Sequence, residues 1–316
     1  MANLKQKPMR HGLIPFFMLA QLLALVNFFR RCRYDCIHAH WLIPQGLTAL
    51  IARFFIKSAP PLIVTSHGSD LFGLRGAAFN IVNRLVVSHS RAVTVVSSVL
   101  RDRLVQNGVT EEKVHVIPMG TDLQMRFTPA TTITNGSDLL YVGRLTHQKG
   151  VHNLLDALPQ ILRQFPAVQL RIAGDGTARN DLEKKVIEFG LEEHVRFLGA
   201  VSHDRIRFLY RQADILIFPS LIAEGFGLVL VEALGCECAV IATDLSAVRH
   251  LIKDGETGLI VSQNNKDELA ERVIQLLCDP GKRRKLGKSG REFVLKHYDW
   301  GIIAKKYSEL FQSICT

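Results

Sequence analysis

Cysteine is scarce in this chain, six in 316 residues, at positions 32, 36, 236, 238, 278 and 315. They follow neither a metal-ligand spacing nor a disulfide framework, which fits a reducing cytoplasm. Nor is there an apolar run long enough for an ordinary membrane span. Leu13 to Phe29 is free of charge but covers only seventeen residues, includes Pro15, Gln21 and Asn27, and has no small-residue cleavage site after it. A buried or half-buried helix is expected there, ahead of an interfacial attachment or a span. No nucleic-acid-binding signature occurs, and the basic residues are not interleaved with stacking aromatics. A short-period repeat is also absent.

What is present is an ordinary cored composition, 47% hydrophobic and 22% charged, with length for about two domains. The net charge of +10 is unevenly spread. Residues 1–125 hold 14 Lys+Arg against 6 Asp+Glu, leaving 25 against 23 for the remainder. A basic first part points to an anionic acceptor or an anionic membrane surface, with ordinary solvated charge as the plain alternative.

From Tyr34 the rhythm is strand, loop, helix. CIHAH precedes a helix over Gln45 to Lys57, LIVTS precedes one near Phe79 to Ser88, AVTVV precedes one over Ser98 to Asn107, and VHVIP closes the set. Met119 to Ser137, rich in Thr, Pro, Asn and Gly, reads as an interdomain linker. The pattern then restarts with LLYVG, LRIAG, VRFLG, ILIF, AVIAT and GLIV, each separated by a loop or helix. Alternation of this kind predicts two α/β domains with parallel sheets.

Three local patterns meet between Ala213 and Gly235. Ile215 to Phe218 is a continuous apolar run closed by Pro219, as in a strand buried on both faces. Gly225 and Gly227 bracket a loop, and a helix follows from Leu228. Ligands of open α/β sheets bind beyond the carboxyl ends of strands, which puts Glu224 and the amides of Gly225, Phe226 and Gly227 at the usual place for chemistry. Glu232 lies roughly 7 Å into the helix. Two carboxylates so spaced suit the hydroxyls of an elongated ligand such as a nucleotide sugar. A helix cap and a solvated glutamate are the bland alternative. Arg144 and Lys149, in GRLTHQKG, follow another strand at the same sheet edge and suit a diphosphate. AGDGTARNDLE, with Gly174, Asp175 and Gly176, has too few glycines for a dinucleotide fingerprint, and a tight strand-to-helix turn is the plain alternative to a ligand loop. His67, in TSHGSD, lies just past a strand of the first set, with Asp70 a weaker companion. His38 and His40 share one strand face without an evident third ligand, and packing is their expected role.

EGFGLVLVE resembles the Glu, seven residues, Glu motif of the retaining glycosyltransferases of family 4, and the resemblance runs from about Tyr34 to the C-terminus. It implies the α/β GT-B fold, two Rossmann-like domains whose parallel sheets face a central cleft. It also implies transfer of a sugar from a nucleotide diphosphate donor with retention of anomeric configuration. In that frame Glu224 and the Gly225 to Gly227 amides hold the sugar, and Glu232 the ribose. Arg144 and Lys149 stabilise the leaving diphosphate without a bound metal or cofactor. Gly174 to Gly176 border the nucleotide, Arg196 contacts the base, and His67 approaches the donor sugar near its reacting centre. Catalytic residues are thus expected at His67, Glu224, Arg144 and Lys149.

MGTD, from Met119, is similar to a family turn that often reads Asn-Gly-Val-Asp, with methionine replacing the asparagine. Family members open on a strand and a glycine-rich loop, and no such loop precedes Tyr34. The implied organisation is a truncated acceptor-side domain over residues 1–122, a nucleotide-sugar domain over 123–299, and a terminal helix over 300–316 packing back on the first. The acceptor is lipid-linked or anionic on this reading, and the chain is cytoplasmic, at the inner face of a membrane. A non-catalytic nucleotide-sugar-binding or partner-binding relative is the rival. A sugar-phosphate epimerase is disfavoured by the Arg, Lys and paired Glu.

Overall fold

A computed structural model describes residues 13–72, 76–130, 137–222 and 225–315. The chain divides into two units, Met1–Pro118 with Lys305–Thr316, and Met119–Ala304.

In the first unit, helix α1 (Leu13–Arg31) precedes strand β1 (Ile37–His40). Helix α2 (Leu47–Arg53), strand β2 (Leu62–Ser66), helix α3 (Ala77–His89), strand β3 (Ala92–Val95), helix α4 (Ser98–Gln106) and strand β4 (Val114–Val116) follow. Among the described residues the strands form one parallel sheet in the order β1-β2-β3-β4. Every residue of β2 and β3 is buried, which is why both read as unbroken apolar or small runs.

The helix expected over Gln45 to Lys57 is shorter, Leu47–Arg53. Ile43 sits at φ −131°, ψ 131°, the extended conformation that a following proline imposes, so regular helix begins only at Leu47. Helix α1 forms where expected, but no residue from Pro15 to Arg31 is fully buried. Phe16 is 71% exposed and Leu23 62%, while Met18, Leu22, Leu25, Val26 and Phe29 are half-buried, so of the buried or half-buried helix expected it is the half-buried one that forms, lying on the surface. Among the described residues no helix is long and apolar enough to cross a membrane.

The second unit contains β5 (Asp138–Val142), α5 (Val151–Gln164), β6 (Gln169–Ala173), α6 (Arg179–Glu188), β7 (Val195–Gly199), α7 (His203–Gln212), β8 (Ile215–Phe218), α8 (Leu228–Gly235), β9 (Ala239–Thr243), β10 (Leu259–Val261), α9 (Lys266–Cys278) and α10 (Pro280–Tyr298). Its parallel sheet has the order β10-β9-β8-β5-β6-β7. Strand order reverses between β5 and β8, making their carboxyl ends the switch point at which an open α/β sheet binds ligands. Leu154, Leu155, Leu158 and Ile161 of α5 are fully buried against that sheet. At about 1.5–3 kcal/mol per buried side chain, such a face outweighs the one backbone bond lost at Pro159.

The first half of the expected linker is packed into this unit instead of running free. Leu123 and Phe127 are fully buried. Arg291 donates to the carbonyls of Leu123, Phe127 and Gly235, and Asp299 accepts from the Leu123 amide at 3.3 Å and Gln124 Nε2 at 3.1 Å. Polar composition announced a loop here but not the arginine and aspartate, some 165–175 residues later, that hold it.

The last helix, α11 (Trp300–Cys315), belongs to the first unit from Lys305 onward. Its Tyr307 and Phe311 rings each lie 5.4 Å from the His38 ring.

Candidate functional site

Backbone contacts that only glycine permits hold together the loops at the carboxyl edge of the second sheet. After β5 the chain turns at Gly143, whose amide donates to Ala173 O at 3.0 Å, at the end of β6. Gly174 in turn donates to Gly199 O at 2.8 Å, at the end of β7. A Cβ on Gly174, at φ +147°, would stand 1.8 Å from Gly143 O, and one on Gly150 1.9 Å from Pro219 O. The loop after β5 also bonds the other two loops, through Leu145 N–H to Asp175 O at 3.0 Å and Leu221 N–H to Gln148 O at 2.9 Å. The edge is therefore one connected surface, because side chains there would force the loops apart.

This stitching brings Arg144, Lys149 and the Gly174, Asp175, Gly176 turn to the same edge. Arg144 is exposed. Lys149 crosses toward β8, its Nζ 5.8 Å from the centre of the Phe218 ring. Glu224 lies outside the described residues. Of the residues that follow it, Gly225 is half-buried and Gly227, at φ +97°, caps α8 without a side-chain hydrogen bond, leaving backbone donors at the helix start. The expected contribution of Phe226 is its amide. It is buried against Tyr298, ring centres 5.5 Å apart, and has only its backbone to offer.

Two further expectations meet different surroundings. Glu232 is 4% exposed, which corrects the alternative of a solvated glutamate. It accepts from Tyr210 Oη at 2.9 Å and pairs with His203 Nε2 at 3.0 Å, both on α7. The cause is that α8 is buried along Leu230 to Gly235, so a carboxylate there must find protein partners. Burial and the adjacent carboxylate hold the Tyr210 hydroxyl well above its ordinary range, so it stays a donor. Arg196, opposite Arg171 in the sheet, is three residues short of the end of β7. That is roughly 10 Å along a strand, so the structure does not bring it to the edge with the others.

In the first unit, His67 follows β2 and meets His40 at the end of β1. His40 Nδ1 lies 2.9 Å from His67 Nε2, and the rings stack 5.2 Å apart. His38 joins from the same strand face, 4.5 Å from the His40 ring, with Nε2 2.7 Å from Thr65 Oγ1. The packing role expected for His38 and His40 thus includes, for His40, a direct contact with His67. Among the described residues no group of three or more His, Cys, Asp or Glu is disposed to hold a metal ion.

Burial lowers all three histidines. It brings His38 to about 4, with the two other rings adding to the effect, while Asp70 partly opposes the shift at His67. A histidine held neutral stabilises the fold fully above its unfolded value of about 6.5 and loses that contribution as pH falls toward 4, since the unfolded chain takes up the proton first. Melting temperature should therefore fall between pH 6.5 and 4, and His38→Gln, which cannot titrate, should flatten part of that fall. An unchanged slope in the variant would remove His38 from the account.

Asp70 is 1% exposed and accepts from Leu42 N–H at 2.9 Å, Ser66 Oγ at 2.8 Å and Gly68 N–H at 3.2 Å. It positions the His67 loop and does not present itself to a ligand. Between the two loops Trp41 adopts φ 71°, ψ 138°, strain of about 1–3 kcal/mol for a residue other than glycine.

Residues 129–293 match the family described as Glycosyl transferases group 1, and residues 2–125 match Glycosyltransferase Family 4. The chain belongs to the glycosyl transferases group 1 family. The phosphatidyl-myo-inositol mannosyltransferase of Mycobacterium tuberculosis is 31% identical over 291 residues, 89% of this chain and 74% of that protein. An uncharacterized glycosyltransferase of Methanocaldococcus jannaschii is 30% identical over 284 residues, 87% of this chain and 76% of that one. Among solved structures, sucrose-phosphate synthase from Thermosynechococcus elongatus superposes with TM-score 0.81 at 26% identity, covering 97% of this chain and 79% of that chain. HepE from Anabaena, solved with UDP-glucose, superposes with TM-score 0.79 at 23% identity, covering 92% and 82%. This glycosyltransferase accordingly has the GT-B fold, with two parallel-sheet α/β domains.

Sequence reasoning missed three residues of the glycosyltransferase near its candidate groups. His203 and Tyr210, seven apart on α7, lie on one helix face, a spacing that pointed to a shared partner without naming Glu232. Trp41 gave no pattern at all, because a strained backbone is invisible in a residue list.

Proposed function

We propose that this glycosyltransferase transfers a sugar from a nucleotide diphosphate donor, with retention at the anomeric carbon. The observation carrying the proposal is the stitched edge at the β5/β8 switch point, where Arg144 and Lys149 share one surface with the uncapped start of α8. In the reaction the bond from C1 to the diphosphate oxygen breaks and the acceptor oxygen bonds C1 on the same face. The acceptor proton leaves with the departing diphosphate. Arg144 and Lys149 meet the negative charge that grows on that group, electrostatic work that calls for no bound metal. Glu224 and the Gly225 to Gly227 amides hold the sugar, and the Gly174 to Gly176 turn borders the nucleotide. Glu232 accepts the ribose hydroxyls in the place His203 now occupies, and Arg196 contacts the base only if the nucleotide extends along β7. His67 keeps its expected catalytic role, on the approach of the acceptor. That HepE was solved with UDP-glucose supports a nucleotide sugar as donor.

A thermal-shift panel of uridine, guanosine and adenosine diphosphate sugars tests this. A ligand at a hundred times its Kd adds about 2.7 kcal/mol, or roughly 5–10 °C for a unit of this size. One donor should stand out. No shift with any of them would overturn the donor assignment.

The acceptor is lipid-linked or anionic in this reading, and the enzyme rests on the inner face of a membrane. Helix α1 supports it, with exposed Phe16, Phe17 and Leu23 and with Arg30, Arg31 and Arg33 at one end. The protein should float with vesicles containing phosphatidylserine, less so at high salt, and a Phe16→Ser, Phe17→Ser variant should stay behind. Equal flotation of the variant would remove α1 from the contact.

A further inference from the structure

Trp41 occupies a position that packing does not explain. It follows β1 directly, in a backbone conformation that glycine adopts freely and other residues avoid. The fold imposes this conformation through hydrogen bonds on both sides. Trp41 N–H donates to Thr65 O at 2.7 Å, Gly46 N–H donates to Trp41 O at 3.0 Å, and the next amide, Leu42, is held by Asp70. Glycine would meet the same constraints without strain. Burial of the side chain does not offset the strain either, since Trp41 is 40% exposed and its ring meets His67 edge-on at 5.8 Å.

Strain of this kind persists where a side chain serves a ligand, and the carboxyl end of a parallel strand is where ligands bind. An indole offers a flat apolar face, and the C–H face of a pyranose is its natural complement, with hydroxyls around the rim. The neighbouring histidines supply the matching polar groups. A single proton lies between His40 Nδ1 and His67 Nε2, so with both rings neutral their outer nitrogens are always one donor and one acceptor, whichever ring holds the shared proton. A sugar hydroxyl both donates and accepts.

We propose that Trp41 is an acceptor-binding residue: a saccharide ring of the acceptor stacks on its indole, with hydroxyls directed to His40 and His67. This names the substrate class of the acceptor side and rests on the transferase reading above.

The chain has two tryptophans, Trp41 and Trp300, so Trp300→Phe leaves Trp41 as the sole indole emitter. Methyl hexosides, maltose, cellobiose and myo-inositol are titrated into that variant without donor. At least one pyranoside should change the emission saturably, and the same compound should accelerate release of nucleoside diphosphate in the unmodified enzyme. Trp41→Gly should raise the KM for that acceptor at least 10-fold, leave donor KM unchanged and not lower the melting temperature, while Trp41→Phe keeps most of the affinity. If Trp300→Phe fails to fold, the difference in emission between the unmodified chain and Trp41→Phe gives the same signal. Emission unmoved by every saccharide, or moved only by anionic vesicles, overturns the acceptor platform, as does an unchanged acceptor KM in Trp41→Gly. The transferase reading fails separately, by the absence of any thermal shift with nucleotide sugars.

Discussion

Replacing Arg144 with alanine is expected to lower kcat about 10²–10³-fold, the usual loss when one preorganised donor to a developing anion is removed, with a smaller change in donor KM. The guanidinium is exposed at the edge where the loops after β5, β6 and β8 converge, so its loss leaves no cavity. What is lost is attraction that strengthens as the diphosphate departs, and only such attraction accelerates the chemical step. Arg144→Lys should recover part of the rate, because a point charge replaces the planar fork. Were Arg144→Ala to shift donor KM alone, the residue would bind the ground state and the leaving-group role would be wrong.

A second substitution should act through the fold. In Gly174→Ala the new Cβ would lie 1.8 Å from the carbonyl oxygen of Gly143, on a backbone at φ +147°. Overpacking against a rigid backbone adds to the strain of an unfavourable φ, and together they should cost about 3 kcal/mol or more. The melting temperature of the second unit should fall by roughly 6–12 °C. Because the loop after β5 must move to make room, donor affinity should fall with stability, which separates this variant from Arg144→Ala. A stable Gly174→Ala protein with normal donor affinity would mean that the loops are not held by this contact.

Much of the fold was legible because buried parallel strands announce themselves. LIVTS, ILIF and AVIAT are buried at every position, and their continuous runs of apolar or small residues leave little ambiguity. The loops at their carboxyl ends were legible too, since glycine and charge cluster there. Less could be read where the environment is set by distant residues. The burial of Glu232 depends on α7 packing on α8, and the packing of Leu123 and Phe127 depends on Arg291 and Asp299. The surface position of α1 could not be told from its composition either, because an apolar helix reads the same whether or not something covers it. In the first unit the His40 to His67 contact joins two strand ends 27 residues apart, and only the parallel pairing of β1 with β2 puts them side by side.

The most direct test of the account is release of nucleoside diphosphate by the full chain from uridine, guanosine and adenosine diphosphate sugars, with Arg144→Ala run in parallel. The account predicts release from one donor class, accelerated by a saccharide acceptor and reduced at least about 100-fold in the variant. Saturable binding of a nucleotide sugar without release from any of the three would contradict it and leave a binding protein in place of the transferase.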